Sequence, residues 1–100
     1  MPLKITTAPD ADVVQLTGDL DIYHVEAAGE ALRAHLSRRT GLELDLAGLQ
    51  SCDAAGLQLL VAARRTAQSA GKPFSIRSSP PVIELCREAL GLSAETLQAL

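Results

Sequence analysis

Leu42-Glu43-Leu44-Asp45-Leu46-Ala47-Gly48-Leu49-Gln50-Ser51-Cys52-Asp53-Ala54-Ala55-Gly56-Leu57-Gln58-Leu59-Leu60 is the stretch on which the reading of this chain turns. Leu44 and Leu46 point one way and Asp45 the other, so Glu43–Leu46 reads as a strand. Gly48 reads as a break, and a helix restarts at Asp53. In a small α/β domain, the passage from the C-terminal end of a strand into a helix is where ligands and partners are met. Here that passage is spelled Asp53-Ala54-Ala55-Gly56. Asp53 is a helix-capping residue, but two alanines and a glycine offer almost no chemistry. The corner therefore reads as a docking site that lacks a reactive group.

Downstream, the helix runs from Asp53 to Ala70, and Gly71 takes the C′ position that tolerates left-handed geometry. At 100° per residue, Leu59, Leu60, Ala63, Ala67 and Ala70 share one side, which is assigned to the core. Most of these are alanine, so the helix can lie close to a sheet. Leu57, Val61, Arg64 and Gln68 form a second stripe. It is either a solvated face with two incidental aliphatics or the rim of a docking surface, and the pattern leaves both open. Pro73–Arg77 is the next strand. Ser79-Pro80 then starts a helix, with Ser79 as N-cap and Pro80 at the first helical position. Val82, Ile83, Cys86, Ala89 and Leu90 form its apolar face, and Gly91 ends it. Ser93 caps a last short helix, Ala94–Leu100, whose Leu97 and Leu100 can fold back onto the body.

Upstream, Leu3–Thr7 and Asp12–Thr17 are two strands separated by the turn signal Pro9-Asp10, which predicts a hairpin with the first strand at an edge. Gly18-Asp19-Leu20-Asp21 leaves the second strand and enters a helix capped by Asp21. Ile22, Val25, Leu32 and Leu36 supply its inner face. Arg33, Arg38 and Arg39 lie toward its C-terminal end, where the helix dipole favours cations, and Thr40-Gly41 stops it. The order is ββαβαβαα. Strand–helix–strand links of this length imply parallel pairing with right-handed crossovers. The expected architecture is one α/β domain over residues 1–100, a mixed sheet of about four strands covered by helices.

Composition narrows the function. Tyr23 and Phe74 are the only aromatics, too few for the stacking platform that single-stranded nucleic acid requires. A net charge of −3 also argues against an electrostatic nucleic-acid footprint. No run approaches the ~20 apolar residues that span a bilayer, and Met1–Ile5 lacks a signal-peptide pattern. A cytoplasmic location is expected. Cys52 and Cys86 have no cysteine or histidine at metal-ligand spacing and read as small buried hydrophobes. His24 and His35 lie three turns apart on one helix, about 16 Å, and cannot share a metal. They read as surface or helix-flank residues. Asp19, Asp21, Asp45 and Asp53 are the carboxylates nearest strand ends. No nucleophile, lysine or phosphate-cradling loop stands with them, and Gly41 and Gly48 match no nucleotide fingerprint. No catalysis, metal or cofactor is expected.

The residues together resemble the STAS domain family, the fold shared by anti-sigma factor antagonists and the cytoplasmic tails of sulfate transporters. Four marks carry the likeness across nearly the whole chain. They are Leu16-Thr17-Gly18-Asp19-Leu20-Asp21, Leu44-Asp45-Leu46-Ala47-Gly48-Leu49, Asp53-Ala54-Ala55-Gly56-Leu57, and the ending from Val82 through Leu90-Gly91-Leu92. In the antagonists the second helix commonly opens Asp-Ser-Ser-Gly, and the serine before the glycine is phosphorylated by the partner kinase, itself the anti-sigma factor. The added charge of about −1.5 to −2 then releases the partner. Ala55 stands at that position and Ala54 before it, so neither can be phosphorylated. Ser51 is the nearest hydroxyl but falls outside the motif. Other members carry Asp-Thr-Ala-Gly and work without the kinase switch, among them the STAS subunit of bacterial lipid-transport ABC complexes.

The resemblance implies a bacterial, non-enzymatic interaction module in signal transduction and transcription regulation. Its partner would be an anti-sigma factor or a sensory-kinase-like ATPase. The implied contact residues are Asp19 and Asp21 in the first loop, Asp53, Ala54, Ala55 and Gly56 at the corner, and Leu57, Val61 and Arg64 along the helix. One alternative is a regulatory subunit docking on the ATPase of an ABC-type lipid transporter. Another is a sensor that binds a nucleotide or small anion at the second helix's N-terminus, where backbone N–H groups favour negative charge.

Overall fold

A computed structural model describes residues 2–7 and 11–91. The elements are β1 (Lys4–Thr7), β2 (Val13–Leu20), α1 (Val25–Arg38), β3 (Leu42–Cys52), α2 (Ala54–Ser69), β4 (Phe74–Ser78) and α3 (Pro81–Ala89). The strands form one sheet in the order β1-β2-β3-β4. β1 lies antiparallel to β2 at the edge, and the β2–β3 and β3–β4 pairs are parallel. This is the expected mixed sheet under helices. The turn at Pro9-Asp10 and the helix expected over 94–100 lie outside the described residues.

Alternation on the central strands explains the layering. Val14, Leu16 and Leu20 on β2 and Leu42, Leu44 and Leu46 on β3 are fully or almost fully buried, while Gln15, Thr17, Glu43 and Asp45 between them are only partly covered. One face of the sheet is thus apolar and the other polar. Both crossovers, β2–α1–β3 and β3–α2–β4, advance across the sheet in the same direction. Right-handed connections therefore place α1 and α2 on the same, apolar face. Leu32 and Leu36 from α1, Leu57 and Leu60 from α2 and Ile83 from α3 close the core there.

Several local expectations are corrected. Gly48 does not end β3, which continues to Cys52. The register steps from Gln15↔Asp45 to Thr17↔Gly48, and from Gly18↔Leu49 to Asp19↔Ser51. Each step places an extra residue on β3, so the strand carries two bulges where its period-two pattern fails. Gly48 is there because its neighbour is close. A Cβ at that position would lie 2.4 Å from Thr17 Cγ2. Likewise β2 runs on through Gly18, Asp19 and Leu20.

α1 begins at Val25, later than expected, and Asp21 does not cap it. His24 is the residue before the helix, without a side-chain cap. Asp21 instead closes a turn, accepting from the Tyr23 N–H at 3.0 Å. Ile22, expected in the core, is 65% exposed. His35, expected on the surface, is buried and satisfied by the Gly41 carbonyl, 3.1 Å from Nε2. On α2 the inner face is Gly56, Leu57, Leu60, Ala63 and Ala67. Leu57 belongs to the core, Leu59 is half-buried and Ala70 is exposed. On α3 the residue before the helix is Pro80, with Pro81 inside the first turn, so Ser79 is not the cap. Only Ile83 and Cys86 of that helix are buried, while Ala89 and Leu90 face solvent.

Candidate functional site

The site is built around Asp53, the residue between β3 and α2. Its two carboxylate oxygens do different work. Oδ1 accepts from the Gly56 N–H at 2.9 Å, capping α2. Oδ2 accepts from the Ile22 N–H at 3.0 Å, in the turn just after β2. The Asp53 N–H in turn donates to the Leu20 carbonyl at 3.2 Å. One side chain therefore ties two neighbouring strand–helix passages into a single surface. The arrangement depends on residues far apart in sequence.

Gly56 makes that surface possible. A Cβ on it would lie 2.2 Å from the Leu20 carbonyl oxygen, 3.0 Å from Leu20 Cγ and 3.1 Å from Cys52 Sγ. No side chain fits, so only glycine lets α2 start directly against the end of β2. Its role here is close packing. Ala54 and Ala55 precede it, both half-buried, and each opens onto a groove. Ala54 borders a trough of about 760 Å³ with Leu57, Val61, Arg65 and Leu90. Ala55 borders a shallower trough of about 430 Å³ between α1 and α2, with Val25, Gly29, Arg33 and Leu59. Gln58 and Ala62 border both. The outward line Ala54, Gln58, Ala62 is thus a low ridge between two depressions.

Asp19 near the end of β2 and Asp21 just after it bring two carboxylates to the same end of the sheet. Ser51 Oγ donates to Asp19 Oδ1 at 2.8 Å, across the β2–β3 ladder. Asp21 Oδ1 sits 2.7 Å from His24 Nδ1. Next to them Ile22 and Tyr23 stand out, Tyr23 at 88% exposure. Two exposed apolar side chains on one turn form the part of this surface that sequence reasoning missed, because Ile22 fits a helical spacing equally well.

Of the residues singled out in the sequence, Asp19, Asp21, Asp53, Ala54, Ala55 and Gly56 come together at the C-terminal ends of β2 and β3. Leu57 is 1% exposed and forms a groove floor. Val61 lines the same groove. Arg64 is half-buried, lines neither trough, and its Nε is buried without a hydrogen-bond partner among the described residues. Arg65 and Leu90 occupy the rim instead. Beneath the corner, burial and the neighbouring Cys86 thiol push the pKa of the Cys52 thiol up to about 12. Among the described residues no group of His, Cys, Asp and Glu is placed to hold a metal ion, and no helix is long and apolar enough to cross a membrane.

This geometry can be set beside known proteins. A family model described as "Mlab, STAS domain" matches residues 3–98. The chain belongs to the STAS domain family. An anti-sigma factor antagonist from Mycobacterium paratuberculosis superposes with a TM-score of 0.70 at 18% identity, over 98% of this chain and 92% of that one. The anti-sigma factor antagonist SpoIIAA, in its unphosphorylated form, superposes with a TM-score of 0.63 at 16% identity, over 84% of this chain and 80% of that one. At such identities the likeness is one of fold. The STAS fold thus places the Asp53-Ala54-Ala55-Gly56 turn at the strand-to-helix passage, and the chemistry of that turn must be read from this chain's own residues.

Proposed function

We propose that this STAS domain is a non-enzymatic, cytoplasmic docking module that binds a regulatory protein through the N-terminal half of α2, without a serine phosphorylation switch. The partner class is an anti-sigma factor or a sensory-kinase-like ATPase. The observation that carries this reading is the ridge Ala54, Gln58, Ala62, flanked by two mainly apolar troughs and tied through the Asp53 carboxylate to the exposed Ile22–Tyr23 turn. A surface of small residues between depressions suits a protein partner, which can lay side chains into both troughs. With alanine at positions 54 and 55, the two motif positions before Gly56 carry no hydroxyl to phosphorylate, and the corner stays in one binding state.

Docking on the ATPase of a membrane transporter is the second reading. It is supported by Ala55 standing before Gly56, as in the STAS branch without the kinase switch. A small anion at the α2 N-terminus is less well supported. Asp53 already fills that position and accepts the Gly56 N–H, so an incoming anion meets a carboxylate.

The test is affinity capture from the native cell with exposed-ridge variants, Gln58→Trp and Ala62→Arg, beside the wild type. Both positions are exposed, so the fold is retained. Loss of the same co-purifying protein from both variants supports the reading. Unchanged capture by both excludes the ridge as the docking face. Incubation of the wild type with ATP and an antagonist-type kinase should leave positions 51–56 unmodified. Phosphate on Ser51 would overturn the absence of a switch.

A further inference from the structure

The larger trough beside the docking ridge opens where α3 ends. Leu57, Val61 and Leu90 give it an apolar lining, and among the described residues Arg65 is the one charged side chain along it. Leu90 is 43% exposed although it borders this depression of about 760 Å³. α3 stops at the same place. The Gly91 N–H donates to the Glu88 carbonyl at 3.0 Å, and Gly91 takes a φ of 69°, the left-handed geometry that turns a chain out of a helix. Residues 92–100, which lie outside the described ones, therefore leave α3 at the edge of the trough.

Their sequence suits it. Leu92-Ser93-Ala94-Glu95-Thr96-Leu97-Gln98-Ala99-Leu100 carries Ala94, Leu97 and Leu100 at three-residue spacing behind a Ser93 cap, the pattern of a short helix with one apolar side. Such a helix over 94–100 is about 10 Å long, and the wall of α2 from Ala54 to Thr66 is about 18 Å, so the trough has room for it. Glu95 is the only charged side chain of the segment and is opposite in sign to Arg65. The link Gly91–Ser93 spans no more than about 10 Å when extended. It keeps the segment near the trough at an effective concentration on the order of millimolar, where a weak apolar contact is enough to hold it.

We propose that residues 92–100 seat Leu97 and Leu100 in the trough between α2 and Leu90, with Glu95 facing Arg65, and act as a built-in competitor for the docking partner. The seating stands on the trough and the segment, whereas the competition rests on the docking role of the ridge. One flank of the ridge is covered until a partner displaces the segment, and the trough between α1 and α2 stays open. The partner's apparent affinity is then reduced by the fraction of molecules in which the trough is free.

The test is methyl NMR on the full chain. Leu97 and Leu100 methyl groups should show nuclear Overhauser contacts to Val61 and Leu90. A Leu97→Asp/Leu100→Asp double variant should lose them and shift the Val61 resonances, while those of Val14, buried on β2, stay in place. Glu95→Lys should weaken the contacts, and adding Arg65→Glu should restore them; a swap without rescue removes the pairing of these two residues. Absence of the contacts in the wild type, or unmoved Val61 resonances in the double variant, overturns the seating. Contacts that arise only between labelled and unlabelled chains make a second copy the occupant and overturn it equally. The double variant should also capture several-fold more of the protein whose capture Gln58→Trp abolishes, and equal capture overturns the competition. If Gln58→Trp and Ala62→Arg leave capture unchanged while the intrachain contacts are present, the docking role fails and the seating stands.

Discussion

Two strand-to-helix passages stand side by side in this protein, and they solve the same problem differently. Leu20 at the end of β2 pairs with Cys52 at the end of β3, and an aspartate comes directly after each. Asp53 caps its helix at once, and α2 begins at the next residue. Asp21 caps only a turn, through the Tyr23 N–H and the His24 ring, and α1 waits until Val25. The size of the side chains just beyond each aspartate makes the difference. Ala54-Ala55-Gly56 has no side chain to obstruct, so the helix starts against the Leu20 carbonyl. Ile22-Tyr23-His24 is bulky, so the chain swings outward first and exposes Ile22 and Tyr23. Small residues make the tight passage and its flat face. Large ones make the neighbouring protrusion, and Asp53 joins the two by accepting from Ile22.

The comparison can be broken most severely at Gly56. Gly56→Ala drives a methyl into the Leu20 carbonyl and should cost about 3 kcal/mol or more, read as a fall in the urea midpoint. The same substitution at Gly71, whose φ of 69° is strained for alanine but which has open space around it, should cost about 1 kcal/mol. If the two losses are equal, close approach is not what Gly56 provides.

Asp53→Ala should be the next largest, about 1–2 kcal/mol, since it uncaps α2 and orphans the Ile22 N–H. Asp21→Ala removes only a turn cap and should cost less than about 1 kcal/mol. An Asp53→Asn variant sharpens the point. Its single carbonyl oxygen can serve Gly56 or Ile22 but not both, so its loss should fall between those of alanine and the wild type. Equal costs at Asp21 and Asp53 would remove the distinction between the two corners.

A smaller effect belongs to alkaline pH. Cys52 has its folded pKa raised to about 12 from 9.0, so between those limits the unfolded chain holds fewer thiol protons than the native one. Stability from this group is complete below about pH 9.0 and is lost as pH rises toward 12. Partial exposure of Cys52 reduces the size of the effect. The melting temperature of the wild type should fall more steeply above pH 9.0 than that of Cys52→Ala, and parallel curves would contradict the assigned burial. The smallest effect belongs to the protrusion. Tyr23→Ser should change stability by no more than about 0.5 kcal/mol, while reducing capture of the partner if that turn is part of the docking face.

Legibility in the sequence divides along the same line. The strand and helix order, the edge position of β1 and the caps at Asp53 and Gly71 are readable because they depend on local pattern and on backbone conformation. The extension of β3 is not readable, because two bulges interrupt the alternation between Asp45 and Ser51 and leave Gly48 looking like a stop. Ile22 misleads because a residue three positions before Val25 fits a helical stripe whether or not the helix has started. Leu57 falls at the margin of a face centred on Leu59 and Leu60, about 110° from its middle on a helical wheel. Packing rotates the inner face toward Gly56 and Leu57, since the glycine is where α2 comes nearest to β2.

Residue type and local spacing were enough for the α/β order, the mixed sheet of about four strands and the absence of a hydroxyl at positions 54 and 55. Tertiary structure alone decided that Asp53 serves two passages and that Gly56 is a packing requirement. Each of these is a contact between residues distant in the chain. Such contacts depend on strand register and on how closely a helix can approach a sheet, and no local pattern records either.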